Sequence, residues 1–174
     1  MTFLDLVRRR HSVRAYRPDP VPDDLLASVL EAGRLAPTAS NRQPFRIIVV
    51  RTRGREAELR RIYDSEWFVQ APLILCVCAV PSEAWRRTMY DGRSHADVDA
   101  SIVMDHLILA AADLGLGTCW IAAFDPAAAR EVLAIPNEAE PMLFTPLGFA
   151  VDESSSPRHA ERRPLDELVR YERW

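Results

Sequence analysis

Lysine is missing from this chain: all 22 Lys/Arg positions are arginine. That excludes Schiff-base chemistry and any phosphate loop that depends on a lysine. Cysteine is sparse and odd in number, with Cys76, Cys78 and Cys119. A disulfide framework is therefore not expected, and a reducing compartment is. Cys76 and Cys78 lie in PLILCVCAV, two residues apart, which turns both to one face of a strand. Core packing accounts for them, because a metal pair would need two more ligands at useful spacing. No apolar run approaches a membrane span, and Asp105 and Asp113 interrupt the helical one. The start, MTFLDLVRRR, places its charges after a very short apolar stretch, the wrong order for a signal peptide. A cytoplasmic protein is expected. There is no G-x-S-x-G, and GLG at 115–117 lacks the third glycine and the preceding strand of a dinucleotide fingerprint.

What is present is an ordinary globular composition. The 174 residues are 48% hydrophobic and 27% charged, and one domain spanning 1–174 is the expectation. A net charge of -3 gives no reason to expect nucleic acid or an acidic membrane as partner. Residues 2–10 read as a short helix ending in three arginines, which suit its C-terminal dipole. HSVRAYRPDPVP reads as an extended loop because its prolines forbid regular helix. PDDLLASVLEAGRLA is helical, with Leu25, Leu26, Val29, Leu30 and Ala32 on one face.

Residues 45–51 form a strand and 54–63 a helix; residues 72–80 form a strand apolar on both faces, hence central. The stretch 81–95, PSEAWRRTMYDGRSH, has no clear period and reads as a lid or excursion, with Trp85 and Tyr90 as candidate substrate contacts. The longest helix, 96–114, leaves little polar face and must be buried around most of its circumference. GLGTCWIAAF becomes strand-like after its glycines, which a tight helix-to-strand turn explains. A helix over 126–134, a strand over 142–150 and a last helical turn from Asp166 complete an α+β pattern.

Three segments could carry chemistry. In RRRHSVR, Arg10, Ser12 and Arg14 alternate, so an extended backbone puts two guanidiniums and a hydroxyl on one face. That is a good phosphate grip; taken alone, the motif reads rather as a solvated basic helix end. In APTASNRQPF, two prolines stiffen a loop carrying Thr38, Ser40, Asn41 and Gln43. Turn chemistry explains Pro37 and Asn41 well and Gln43 poorly, whereas amides can read a ring with carbonyl and N–H edges. In the third, Trp120 follows the glycines closely enough for strand backbone to meet a flat ligand. Arg158, Arg162 and Arg163 add charge near the far end. His95, Asp97 and Asp99 alternate, but at a helix start they read as capping and dipole complements rather than metal ligands.

In order along the chain, LDLVRRRHSVRAY, LAPTASNRQPFRIIVV, APLILCVCA, LILAAADLGLGTCWIAAFD and RRPLDELVRY strongly resemble the FMN-dependent nitroreductase family in its short form. The resemblance implies a central, mostly antiparallel sheet flanked by helices, and an intertwined homodimer with FMN at the subunit interface. It implies that Arg10, His11 and Ser12 hold the phosphate and ribityl end, and that Arg14 lies near the N1/O2 edge, favouring the reduced flavin. Pro37, Thr38, Ala39 and Asn41 would wall the ring from the partner subunit, with Gln43 in support. Trp120 and Ile121 would pack on the other face, with a backbone N–H near Ala122 directed at N5. Arg162 matches the tail arginine that closes over the phosphate, and the arm at 152–174 would embrace the partner.

Two departures stand out. Ala160 occupies a position where many members carry lysine, so Arg158 or Arg163 substitutes or phosphate binding is weaker. Ala122 stands where some larger members have glutamate. The activity implied is hydride transfer from NADH or NADPH to flavin N5, then reduction of nitroaromatics, quinones or similar flat acceptors. Rivals are a non-turnover FMN store or sensor, a flavin-fragmenting or dehalogenating relative, and a flavin-free nucleotide-phosphate binder.

Overall fold

A computed structural model describes residues 1–152 and 161–174 of the chain. Its α+β architecture centres on a four-stranded antiparallel sheet. The strands are β1 (Phe45–Arg51), β2 (Leu73–Ala79), β3 (Gly117–Thr118) and β4 (Glu140–Gly148), in spatial order β1-β2-β4-β3. Helices α1 (Phe3–Arg9), α2 (Asp23–Arg34), α3 (Glu56–Ile62), α4 (Glu66–Gln70), α5 (Ala96–Asp113), α6 (Pro126–Leu133) and α7 (Leu165–Leu168) surround it.

Every residue of β2 is buried. Because side chains alternate across a strand, Leu73, Leu75 and Val77 join a core with α2 and α5. Ile74, Cys76 and Cys78 join a second core with α3, α4 and α6. The sheet is thus a middle layer, and the central position expected from the apolar run LILCVCA is where β2 lies. Cys76 and Cys78 share a face as their spacing requires, with Sγ atoms 3.6 Å apart. In the second core Phe144 is fully buried and meets Phe68 and Phe124 edge to face, with centroids 6.2 and 4.7 Å away.

Local chemistry sets the ends of several helices. Thr2 and Asp5 form a reciprocal capping box at α1. Asp125 caps α6 by accepting from the N–H groups of Ala127 and Ala128. Helix α4 departs from the sequence expectation: five residues are too few to display a helical period. The predicted strand after the glycines is shorter than expected. Only Gly117 and Thr118 join the ladder; Cys119 gives its N–H to the Thr145 hydroxyl, 3.1 Å away, and pairing resumes as a single bridge between Ile121 and Phe144.

Helix α5 spans 18 residues, about 27 Å. It packs on α2 and on the sheet and buries Val103, Met104, Leu107, Ile108 and Ala111 among others. Val98 and Trp120 remain open to solvent on its outer side. Large apolar side chains also stand exposed at both ends of the chain: Phe3 and Leu4 in α1, Leu165 and Leu168 in α7, then Tyr171 and Trp174. Among the described residues no helix is long and apolar enough to cross a membrane.

Replacing Phe144 tests the second core. Phe144→Ala is expected to lower stability by about 3–5 kcal/mol, and the volume-sparing Phe144→Leu by less than about 1.5 kcal/mol. Urea unfolding followed by far-UV circular dichroism measures both; equal losses would contradict the tight packing around this ring.

Candidate cofactor site

Residues 10–16 are extended, as the proline-rich run predicts, and are stitched to the sheet edge. Ser12 bridges Thr118 in parallel, Val13 N–H donates to Thr118 C=O at 2.8 Å, and Tyr16 bridges Ala150. Val13 is buried, which leaves Ser12 half-buried and Arg14 exposed on the opposite face. The Tyr16 hydroxyl donates to Val13 C=O at 2.8 Å and ties the segment back on itself.

The two glycines of GLG have different causes. Gly115, at φ +77°, makes the turn out of α5. Gly117 lies against Val13: a Cβ there would fall 2.9–3.0 Å from three Val13 side-chain atoms. The second glycine therefore exists to let the arginine-bearing segment dock, a reason the sequence pattern does not reveal.

Arg10 leads this segment into a cleft of about 50 Å³, shared with His11, Ala112, Gly115 and Thr118. Burial holds its guanidinium below the usual arginine range, and the nearby positive charge of Arg162 lowers it further; Asp105 acts the other way. Two arginines far apart in sequence, Arg10 and Arg162, thus lie within electrostatic reach of each other in one chain. Arg14 reaches over the Trp67 ring, 5.8 Å from its centroid. Cys119 sits behind the cluster, its thiol pushed up by burial and drawn back down by Arg14, Ser12 and Arg10. His11 bonds through Nδ1 to the Arg9 carbonyl at 3.1 Å.

The proline-bounded loop is a strained turn. Ala39–Asn41 form one 3-10 turn, and Ser40, Asn41 and Gln43 all have φ between 52° and 53°. These are three of the five non-glycine positive-φ residues among the described residues. Such conformations cost of order 1–3 kcal/mol each and persist only where the surroundings over-determine them. Here Thr38 Oγ1 accepts from Gln43 N–H at 3.0 Å, and Gln43 Nε2 donates to Asn41 C=O at 3.1 Å. Gln43, which turn chemistry explained poorly, is the side chain that braces the turn.

A third restraint comes from Asp99. Its Oδ1 accepts Ala39 N–H at 2.9 Å across 60 residues of sequence, and the side chain is only 1% exposed. Asp99 does not cap its own helix, contrary to the capping expectation: the N-cap position of α5 is His95, and it makes no side-chain cap bond. Its Oδ2 is buried without a hydrogen-bond partner among the described residues. Sequence reasoning missed this role, and the one available signal was an acid with apolar neighbours at a helix start.

Trp120 and Ile121 separate. Trp120 lies open beside Val98, Ile102 and Asp105 of α5, whereas Ile121 is buried in the second core. Ala122 is exposed. Arg158 and Ala160 lie outside the described residues, and Arg163 is exposed. The Arg10 cleft contains no residue of 37–43. That loop is tied to Asp99, about 20 Å along the helix axis from Ala112, which lines the cleft. Within one chain the structure brings together Arg10, His11, Ser12, Arg14 and Arg162, and holds Pro37, Thr38, Ala39, Asn41 and Gln43 apart from them.

The family model described as the nitroreductase family matches residues 7–67 and 60–149. The chain belongs to the nitroreductase family. Among curated relatives of this nitroreductase-family chain, an NADH dehydrogenase of Thermus thermophilus is 30% identical over 92% of this chain and 91% of that protein. A crystal structure of a nitroreductase family protein from Clostridium difficile 630 superposes with TM-score 0.89 at 36% identity, covering 100% of both chains. An FMN-dependent nitroreductase from Clostridium difficile R20291 superposes with TM-score 0.80, covering 99% of this chain and 100% of that one; at 22% identity it shows the shared fold alone.

In this nitroreductase-family chain, Asp99→Ala removes an acceptor that a strained loop depends on. The local opening free energy of residues 38–43 is expected to fall by about 1–3 kcal/mol, read as faster native-state amide hydrogen exchange at those positions. Unchanged exchange would mean that the turn holds without Asp99.

Proposed function

We propose that this protein is an FMN-dependent oxidoreductase that takes hydride from NADH or NADPH and reduces nitroaromatics, quinones or similar flat acceptors. The observation that carries the reading is the small cleft of about 50 Å³ that Arg10 and His11 line beside the extended Ser12 segment, with Arg162 within electrostatic reach. Arg10, partly desolvated in that cleft, and Arg162, a second positive charge within electrostatic reach of it, favour an anion there. A phosphate monoester supplies that anion and takes charge-assisted bonds from both. The local residues therefore fit the charged end of FMN: Arg10, His11, Ser12 and Arg162 would hold it, and Arg14 would set a positive charge beside the polar edge of the ring. When bound, FMN supplies the redox chemistry, hydride entering at N5 and electrons leaving to the acceptor.

The chain contributes position rather than acid–base catalysis. The strained loop would act as a stiff wall, with Pro37, Thr38, Ala39 and Asn41 against the ring and Gln43 bracing them. Trp120 would border the opposite face, with Ile121 anchoring its strand in the core and the Ala122 N–H directed at N5. Because the arginine segment docks on the sheet edge beside the end of α5 while the loop is tied to its early turns, a wall for this arginine cluster would come from a second copy. A homodimer also gives cover to the exposed apolar residues of α1, α7 and the tail, with the whole chain acting as one domain and its arm reaching across the partner. Three free, buried thiols suit a reducing compartment such as the cytoplasm.

Two measurements test this. Anaerobic stopped-flow mixing of the yellow, FMN-loaded protein with NADH and with NADPH should bleach the oxidised flavin band with at least one of them. No bleaching with either would leave an FMN store or sensor, and a protein that stays colourless with added FMN would leave a nucleotide-phosphate binder. Separately, Arg10→Ala should weaken FMN binding by about 1.5–3 kcal/mol, roughly 10- to 150-fold in dissociation constant. Unchanged affinity would return Arg10 to a plain helix end.

A further inference from the structure

The excursion at 81–95 lacks a period in sequence yet is closed on itself. Arg86 bridges Ser94, Arg87 N–H donates to Arg93 C=O at 3.0 Å, and His95 N–H donates to Trp85 C=O at 3.0 Å. The Trp85 and His95 rings meet edge to face, with centroids 4.9 Å apart. Between this folded excursion and the strained loop lies a cleft of about 400 Å³, lined by Arg42, Ser82, Trp85, Arg86 and Thr88 with small apolar residues. That size suits part of a small-molecule ligand.

Its charge is unbalanced. The two carboxylates of the excursion are already engaged: Glu83 receives Arg46 at 2.8 and 3.2 Å, and Asp91 receives Arg87 at 2.8 Å. Arg86 makes one long contact, 3.5 Å to Gly92 C=O, and the Arg42 side chain has no hydrogen bond or ion pair among the described residues. No carboxylate lines the cleft. Two arginine forks and two hydroxyls around a half-buried indole match one ligand chemistry, a phosphomonoester beside a flat ring. A monoester carries nearly two charges on a single phosphorus at neutral pH and engages both forks, whereas each phosphate of a diphosphate diester carries one. Arg42 stands between Asn41 and Gln43 of the flavin wall, so the cleft adjoins the place where a nicotinamide donor would arrive.

We propose that the cleft between Arg42 and residues 81–88 binds the 2′-phosphate of NADPH, with the adenine against Trp85, and so sets which nicotinamide donor this enzyme takes. The assignment rests on the oxidoreductase reading above. The test is calorimetric titration of the full-length, FMN-loaded protein at low salt with 2′,5′-ADP, 5′-ADP and phenyl phosphate. 2′,5′-ADP is expected to bind at least tenfold more tightly than either of the others. Arg86→Ala and Arg42→Ala are each expected to remove most of that preference; the two residues lie on separate elements, and the flavin spectrum reports intact fold in each variant. Equal binding of the two ADP isomers overturns the proposal in favour of a diphosphate site. Phenyl phosphate binding as tightly as 2′,5′-ADP overturns it in favour of a phosphorylated acceptor, and a preference that survives both substitutions overturns it outright. Nucleotide binding is read without turnover, so discrimination without flavin bleaching would count against the oxidoreductase reading and not the cleft. Bleaching without discrimination would count against the cleft alone.

Discussion

Helix α5 is the constraint on which the rest depends. It is buried against α2 on one side and the sheet on the other, so its position admits little adjustment. Asp99 in its early turns holds the strained loop, Asp105 lies within electrostatic reach of Arg10, and Ala112 near its end lines the arginine cleft. Loop and cleft are thereby spaced by the helix itself. In the proposed dimer, one copy's cleft would face the other copy's loop.

Strain is concentrated in the loop and positive charge at the cleft. The loop carries three positive-φ residues that a plain connection between a helix and a strand would not need, held by Thr38, Gln43 and Asp99. The cleft carries Arg10, whose guanidinium is held below the usual range by burial and by the nearby charge of Arg162. In the proposed reading a flat, phosphorylated ligand would lie against both. The absence of lysine sharpens the point: every cation available for such a ligand is a planar, permanently charged fork suited to paired phosphate oxygens.

Much of the architecture was legible because its signals are periodic. LILCVCA is apolar at every position, and a strand with that pattern has to be covered on both faces. The helix over 96–113 shows almost no polar stripe, and it lies buried. The segments that escaped were short or depended on a distant contact. Helix α4 is a single turn and a half. Cys119 leaves the ladder because a Thr145 hydroxyl competes for its N–H. The excursion at 81–95 has no repeat because it is held by bonds between its own ends, such as His95 to Trp85, which no local pattern encodes.

By itself, the order of residues determined the α+β class, the central strand, the buried long helix, and the alternation that puts Ser12 and Arg14 on one face. Those follow from side-chain spacing and backbone geometry, which act over a few residues. Only the tertiary structure decided that Gly117 is small to admit Val13, that Asp99 clamps a loop sixty residues away, that Ile121 turns inward while Trp120 stays outside, and that Arg162 comes within electrostatic reach of Arg10. Each of these is a contact between segments distant in the chain, and such contacts exist only once packing has fixed where α5 and the sheet edge lie.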